Sequence, residues 1–557
     1  MLRITELRLP IDHSEAQLWE AIQKRLGISG SKVTGYTIFR RGIDARRRHR
    51  ITFIYTLDVE TPLEAEILDR LAGDPRIQPA PDIRYRFVAR APAGPAERPV
   101  VIGTGPCGLF AGLLLAQMGF RPILLERGKM VRERTADTFR FWRKRDFNPE
   151  SNVQFGEGGA GTFSDGKLYT QIRDPRHLVR KVLTEFVAAG APPEIRYVSK
   201  PHIGTFRLVK VVEAMRRTIQ SLGGEFRFQT RVRDVGIQGG EVRWVSTDAD
   251  ETIPCSRLVL AIGHSARDTF EMLADRGVAM EAKPFSVGVR IEHPQTLIDR
   301  ARYGRQAGHP LLGAADYKLV HHCANGRSVY TFCMCPGGTV LAATSEPGCV
   351  VTNGMSQYAR SKPNANSAIV VGVNPEDYPG GPLSGVAFQR RWERRAFILG
   401  GENYDAPVQR VGDFLAGRPS TSLGAVRPSY RPGVRLTDLA TALPDDAVAA
   451  LREAIPAFDR KLRGFALPDA VLTGVETRTS SPVRILRDKS GQSLGTRGLF
   501  PAGEGAGYAG GIVSSAVDGI LAAEAVALSI RECNPAVPGL GEDPDHADPK
   551  GRSKGRL

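Results

Sequence analysis

No uncharged apolar run in the chain is long enough to cross a bilayer. The best candidate, residues 511–530, carries Asp518 and Glu524, so a buried helix is expected there and not a membrane span. The first ten residues alternate like a strand and lack the apolar core of a signal peptide. Cysteine is scarce, and the odd count of seven in 557 residues leaves a disulfide framework within one chain incomplete. No motif recurs at solenoid or propeller spacing. These absences point to a soluble, cytoplasmic protein with no membrane partner. Acidic residues are the minority, 60 against 76 lysines and arginines, for a formal charge of +16. Much of the excess sits at residues 40–50, which hold six arginines and one aspartate. Such a cluster attracts anions, nucleic acid among them; a solvated hairpin is the plainer alternative.

Hydrophobic residues at 41% and charged residues at 24% are ordinary for a globular protein. The length suits three or four packing units of about 150 residues. Residues 1–92 read as β-α-β-β-α-β, the order of a ferredoxin-like split fold. Ser14 is the expected cap of the first helix, the arginine cluster joins the two middle strands, and the final strand is predicted at residues 83–88. A Pro/Ala-rich linker at 91–97 marks a boundary. Residues 98–280 and 474–535 read as two parts of one nucleotide-binding domain, with an inserted substrate domain at 281–473. The polar tail at 536–557 is expected to be disordered.

The strongest signal begins at Pro99-Val-Val-Ile-Gly103-Thr-Gly105-Pro-Cys-Gly108. A strand leads into a glycine turn, a helix and a second strand ending at Glu126. Gly103 permits the turn, Gly105 lets the backbone approach a pyrophosphate, and Gly108 lets helix and strand pack closely. The helix N-terminus offers unpaired N–H groups to phosphates, and Glu126 is placed for ribose hydroxyls. A second segment, Gly498-Leu-Phe-Pro-Ala-Gly503-Glu504 through Gly511-Ile512, distinguishes FAD from NAD, because something must reach the ribitol and ring system. Glu504 is placed for a ribitol hydroxyl, and the amides at Gly511 and Ile512 for the ring.

The segments Gly103–Gly108, Glu126-Arg127-Gly128 and Leu499–Gly511 resemble the glutathione-reductase-like FAD superfamily. More narrowly, Gly156–Leu168, Ala261–Arg267, Cys333-Met-Cys-Pro-Gly-Gly338 and Glu476–Arg484 are similar to a group known only as FAD-dependent dehydrogenases. The resemblance implies bound FAD in a Rossmann-like FAD-binding domain and brings no substrate with it. In that superfamily an aspartate more often stands where this chain has Glu504. The resemblance also implies that the loop carrying Gly161, Thr162 and Lys167 passes the pyrophosphate and ring, and that Gly263 and His264 lie near the cofactor. Lys167 then either faces the flavin or neutralises phosphate.

The loop is not a P-loop, since Leu168 stands where the magnesium-binding Ser or Thr belongs. Cys333-x-Cys335 lacks the gap of paired zinc cysteines, so no metal is expected. Cys335 or Cys333 is either redox-active or packed. His264 is a hydrogen-bonding or proton-moving candidate, with a satisfied loop histidine as the alternative. Arg478 and Arg484 either meet an anion or make ordinary ion pairs. No second strand–glycine–helix unit follows residue 130, so NAD(P)H would act as a transient reductant, or the electrons come from elsewhere. The expected function is hydride transfer between flavin and an unidentified small molecule. An RNA-modification flavoprotein and a non-catalytic FAD-stabilised partner protein are the alternatives.

Overall fold

The computed structural model describes residues 1–92, 97–533 and 539–542. Most of the expected linker (93–96) and most of the tail expected to be disordered fall outside these residues.

The N-terminal strands Leu2–Pro10, Gly35–Asp44, Thr52–Glu60 and Ile77–Pro79 form one antiparallel sheet in the order second, third, first, fourth. Ser14 caps Glu15–Leu26 reciprocally. Its hydroxyl accepts the Gln17 N–H at 3.3 Å, and the Gln17 carboxamide accepts the Ser14 N–H at 2.8 Å. The strand predicted at 83–88 is not the fourth member of this sheet. Ile77–Pro79 takes that place, and Arg86–Ala89 pairs with Gly539–Glu542, from within the tail expected to be disordered. Pro79 ends the first stretch and Pro81 follows it, and proline has no N–H with which to continue a ladder. The first hairpin strand runs on through Arg40 and Arg41, leaving Arg46, Arg47, Arg48 and Arg50 in the connection.

A five-stranded parallel sheet carries the glycine-rich turns. Its order is Leu499–Pro501, Leu258–Leu260, Val100–Ile102, Ile123–Leu125, Glu225–Arg227. On one face the helices Pro106–Gln117 and Ile512–Cys533 pack together so closely that a Cβ on Gly519 would stand 2.2 Å from the Cys107 carbonyl oxygen. Ile512–Cys533 is the one helix among the described residues with the length and composition of a membrane span, and 72% of its most apolar window is buried against protein. Its two acids are held in place. Asp518 accepts from Arg487 (2.7 Å) and Gly503 N (2.6 Å), and Glu524 from Tyr85 Oη (2.9 Å) and Arg176 (2.7 Å).

Between the last two strands of the parallel sheet in chain order lies a seven-stranded mixed sheet. Phe285–Pro294 and Asn364–Val373 are its buried centre, flanked by Ser328–Cys335 and Val471–Glu476. The boundary expected at 473/474 falls inside Val471–Glu476, and that at 280/281 inside Met280–Ala282, which pairs with Val483–Ile485. Alternation along one strand does not say which sheet will accept it. The apolar cluster of the N-terminal unit runs unbroken into that of the seven-stranded sheet.

Candidate functional site

A cleft opens at the C-terminal ends of the parallel strands, where ligands of such sheets bind. Two segments remote in sequence converge on it. Gly103, Gly105, Glu126 and Arg127 line one part, and Glu504, Gly511 and Ile512 another; Gly161, Lys167 and Gly263 lie along it, with His264, Cys335 and Arg478 on its walls. Four nominated residues do not line it. Gly108 serves packing, since a Cβ there would meet the Gly103 carbonyl oxygen at 1.8 Å. Gly503 lies against Cys107. The Thr162 hydroxyl is buried with no hydrogen-bond partner among the described residues. Arg484 also stays off the cleft, bonding Glu281 at 3.2 Å.

Glu126 does more than the sequence suggests. Its carboxylate accepts from Thr104 N (3.0 Å), Thr104 Oγ1 (2.7 Å), Gly128 N (2.9 Å) and Gly156 N (2.9 Å). Four donors fill the lone-pair positions of a carboxylate, so a ribose hydroxyl would take the place of the Thr104 hydroxyl, the one donor able to turn away. Glu126 thereby ties the glycine turn to the 156–167 loop. Arg127 is fully engaged, with Glu150 at 2.7 Å and Asp268 at 2.9 Å, and stacks 4.1 Å from the Phe155 ring centroid. It is a wall and not a free phosphate ligand.

Lys167 donates to the Met334 carbonyl and stands 3.7 Å from Asp165, which Arg360 holds at 2.5 Å. His264 bonds Ser265 Oγ at 3.0 Å, and burial, reinforced by Arg478 and Arg267, pushes its pKa down to about 3. It is a neutral hydrogen-bonding group, and the proton-moving role has no imidazolium to draw on near neutral pH. Arg478 is paired, but far from the surface. Its guanidinium bonds Glu393 (3.0 and 2.8 Å), Ser265 Oγ (2.9 Å) and Ser345 Oγ, while Glu393 also receives Arg267 (2.9 and 3.0 Å). Of the two cysteines, Cys335 is the buried one, while Cys333 opens into the cleft with φ at +43°. Close protein around Cys333 pushes the thiol pKa up to about 11. His321, Cys323 and Glu453 place one ligand atom each within 4.8 Å of one another, although Glu453 already accepts from His321 (2.9 Å) and Ala324 N.

Glu504 stands apart. Among the described residues no donor hydrogen-bonds its carboxylate, which faces the cleft. Burial raises its pKa to about 7 against the pull of Lys283.

The residues fit a dinucleotide. Gly105 caps Pro106–Gln117 with no side-chain bond, so the helix N-terminus is free for phosphate. A Cβ on Gly159 would stand 2.8 Å from Gly105 Cα and one on Gly161 2.9 Å from Ile512 Cγ1; side chains at these positions would fill the cradle. The unbonded Glu504 supplies a polar group for the far half.

A family model described as "FAD dependent oxidoreductase" matches residues 191–322, and one described as "FAD-dependent protein, C-terminal domain-like" matches residues 284–479. A domain of unknown function, DUF8436, matches residues 1–60. The protein is an FAD-dependent oxidoreductase. A Clostridium beijerinckii protein described as "Uncharacterized protein" is 48% identical over 531 residues, 94% of this chain and 98% of its own length. The chain belongs to the same family as that relative. Solved structures similar to it include the flavin-dependent brominase Bmp2 (13% identity, 78% of this chain and 79% of that one, TM-score 0.36). Glycine oxidase from Geobacillus kaustophilus is another (14%, 77% and 95%, TM-score 0.32). Glycerol-3-phosphate dehydrogenase from Bacillus halodurans, complexed with FAD, is a third (12%, 78% and 65%, TM-score 0.33). Likenesses at these scores carry no assignment of substrate.

Proposed function

We propose that FAD lies along the cleft in a glutathione-reductase-like arrangement, and that the enzyme moves a hydride between flavin and a small molecule held by the seven-stranded sheet. The carrying observation is the convergence of Gly103–Glu126 and Glu504–Ile512 on one cleft. When bound, FAD supplies the two-electron chemistry. The chain supplies the rest. The open helix end at Gly105 meets the pyrophosphate, Glu126 the ribose, Glu504 a ribitol hydroxyl, and the backbone at Gly511–Ile512 the ring. Neutral His264 and the Glu393-bound Arg478 fix the wall beside the 263–266 turn.

NAD(P)H as a transient reductant in the cytoplasm accords with the lack of a second nucleotide-binding unit in the sequence. The test is an absorbance spectrum of the purified protein, followed by anaerobic NADPH or NADH. Flavin bands that bleach support this reading. Bands that persist with both nucleotides move the search to another donor, and absence of flavin from folded, reconstituted protein refutes the cofactor site. Nucleic acid is a second reading, favoured by Arg47, Arg48 and Arg50, which are exposed and form no ion pair among the described residues. Replacing Arg46, Arg47 and Arg48 together should abolish any salt-sensitive RNA binding; no binding at low salt ends that reading.

A further inference from the structure

A second cavity, of about 830 Å³, lies between the helix Val131–Lys144, the ribbon Thr339–Ala342/Thr352–Met355 and the 428–434 loop. Small-molecule sites run to roughly 300–1,000 Å³, so a metabolite-sized molecule fits. We propose that this cavity binds an organic anion, with its carboxylate or phosphate on Arg143, Lys362 and Arg431 and its apolar body on Phe139, Phe206 and Met355.

The charge pattern carries the argument. Arg143, Lys362 and Arg431 all line the cavity, and none makes an ion pair among the described residues. Four arginines that lie largely inside the fold are, by contrast, neutralised: Arg127 by Glu150, Arg290 by Glu476, Arg360 by Asp165 and Arg487 by Asp518. Among the described residues no aspartate or glutamate lines the cavity. The carboxylates just behind it are already taken. Glu292 accepts from Ser429 at 2.6 Å and Asn364 at 2.9 Å, and Asp405, behind Gly433, is held by Arg145 at 2.6 Å. Three like charges on one concave surface with no internal counter-ion leave a positive potential that focuses on an incoming anion.

The walls suit a body that avoids water. Phe206 is 50% exposed although it stands at the start of a 17-residue helix whose other apolar residues are mostly buried. Phe139 and Met355 are partly buried beside it, and Trp142 closes the floor with its indole N–H on the Ala342 carbonyl at 3.0 Å. The ribbon is shared with the flavin cleft. Asn353 and Gly354 line the cleft, and the next residues of the chain, Met355 and Ser356, line this cavity. A ligand here touches the strand that walls the cofactor site without entering that site.

The test uses the full chain saturated with FAD and the aromatic sulfonate 8-anilinonaphthalene-1-sulfonate as probe. One saturable site is expected, with the flavin spectrum retained throughout. Arg143→Glu combined with Lys362→Glu should weaken the probe at least tenfold, as should Phe206→Ser, while Arg47→Glu on the remote hairpin leaves it unchanged. Both charge reversals are at exposed positions, and retained flavin content checks the fold of each variant. Competition by octanoate or by adenosine monophosphate supports the proposal and tells a carboxylate from a phosphate head group. Probe binding that does not saturate, that releases FAD, or that is indifferent to the charge reversals overturns it.

Discussion

Glu504 offers the sharpest test of the cleft, because a carboxylate held without a hydrogen bond makes stability depend on pH in a known direction. Burial keeps its pKa at about 7 in the folded chain against an ordinary 4.5. At about 1.4 kcal/mol per pH unit, that difference corresponds to roughly 3 kcal/mol. The folded chain retains a proton that the unfolded chain releases, so the destabilisation is absent below about pH 4.5. It grows between pH 4.5 and 7 and is fully present above 7. Glu504→Gln keeps the shape and removes the charge. In FAD-stripped protein the variant should match the parent at pH 4.5 and exceed it by about 3 kcal/mol at pH 8, read from urea denaturation at both pH values. An equal difference at the two pH values would refute the argument, since a merely structural effect of the amide does not titrate. Glu504→Ala should in addition weaken FAD binding by about 1 kcal/mol, the worth of one hydrogen bond.

Glu393→Gln leaves Arg267 and Arg478 buried without their shared counter-ion and should destabilise the chain by about 3–5 kcal/mol in the same urea assay; a loss below 1 kcal/mol would mean that water or Glu346 compensates. Gly108→Ala forces a Cβ against the Gly103 carbonyl, so soluble variant protein should purify without flavin absorbance, and retention of stoichiometric FAD would contradict the packing role. Both cysteines line the cleft, but Cys333 is exposed and Cys335 buried, so maleimide followed by mass spectrometry should label Cys333 ahead of Cys335 in FAD-stripped protein and spare it once FAD is bound. With the Cys333 thiol pKa near 11, its labelling rate should rise about tenfold per pH unit between pH 7 and 9; a plateau in that range would show a thiolate already formed.

The glycine turn at 103–108, the acid at 126 and the segment ending at Ile512 were legible in the sequence because each is a local chemical requirement. The left-handed backbone at Gly103 and the close approach at Gly108 admit only glycine, and an open helix end follows from the residues beside it. The capping box at Ser14 was legible for the same reason, since its partner is three residues away. The acids at 518 and 524 argued for a buried helix, and the structure shows the partners that make burial tolerable. What the sequence could not say was who meets whom across the chain. Arg478 finds Glu393 across 85 positions, which turns a candidate anion binder into part of a buried ion network. Glu126 binds the distant Gly156, and Arg86–Ala89 pairs with residues near the end of the chain instead of the N-terminal sheet. The exposure of Cys333 over Cys335 depends on a left-handed residue at a strand irregularity, which period-two alternation does not encode. The sequence by itself determined the glycine-rich strand–turn–helix unit and the acid at its second strand, because a tight turn and a close helix–strand approach constrain residue type at fixed spacing. Only the tertiary structure decided the walls around it, because ion pairing, burial and the unpaired cations of the second cavity arise from segments that are neighbours in space and not in sequence.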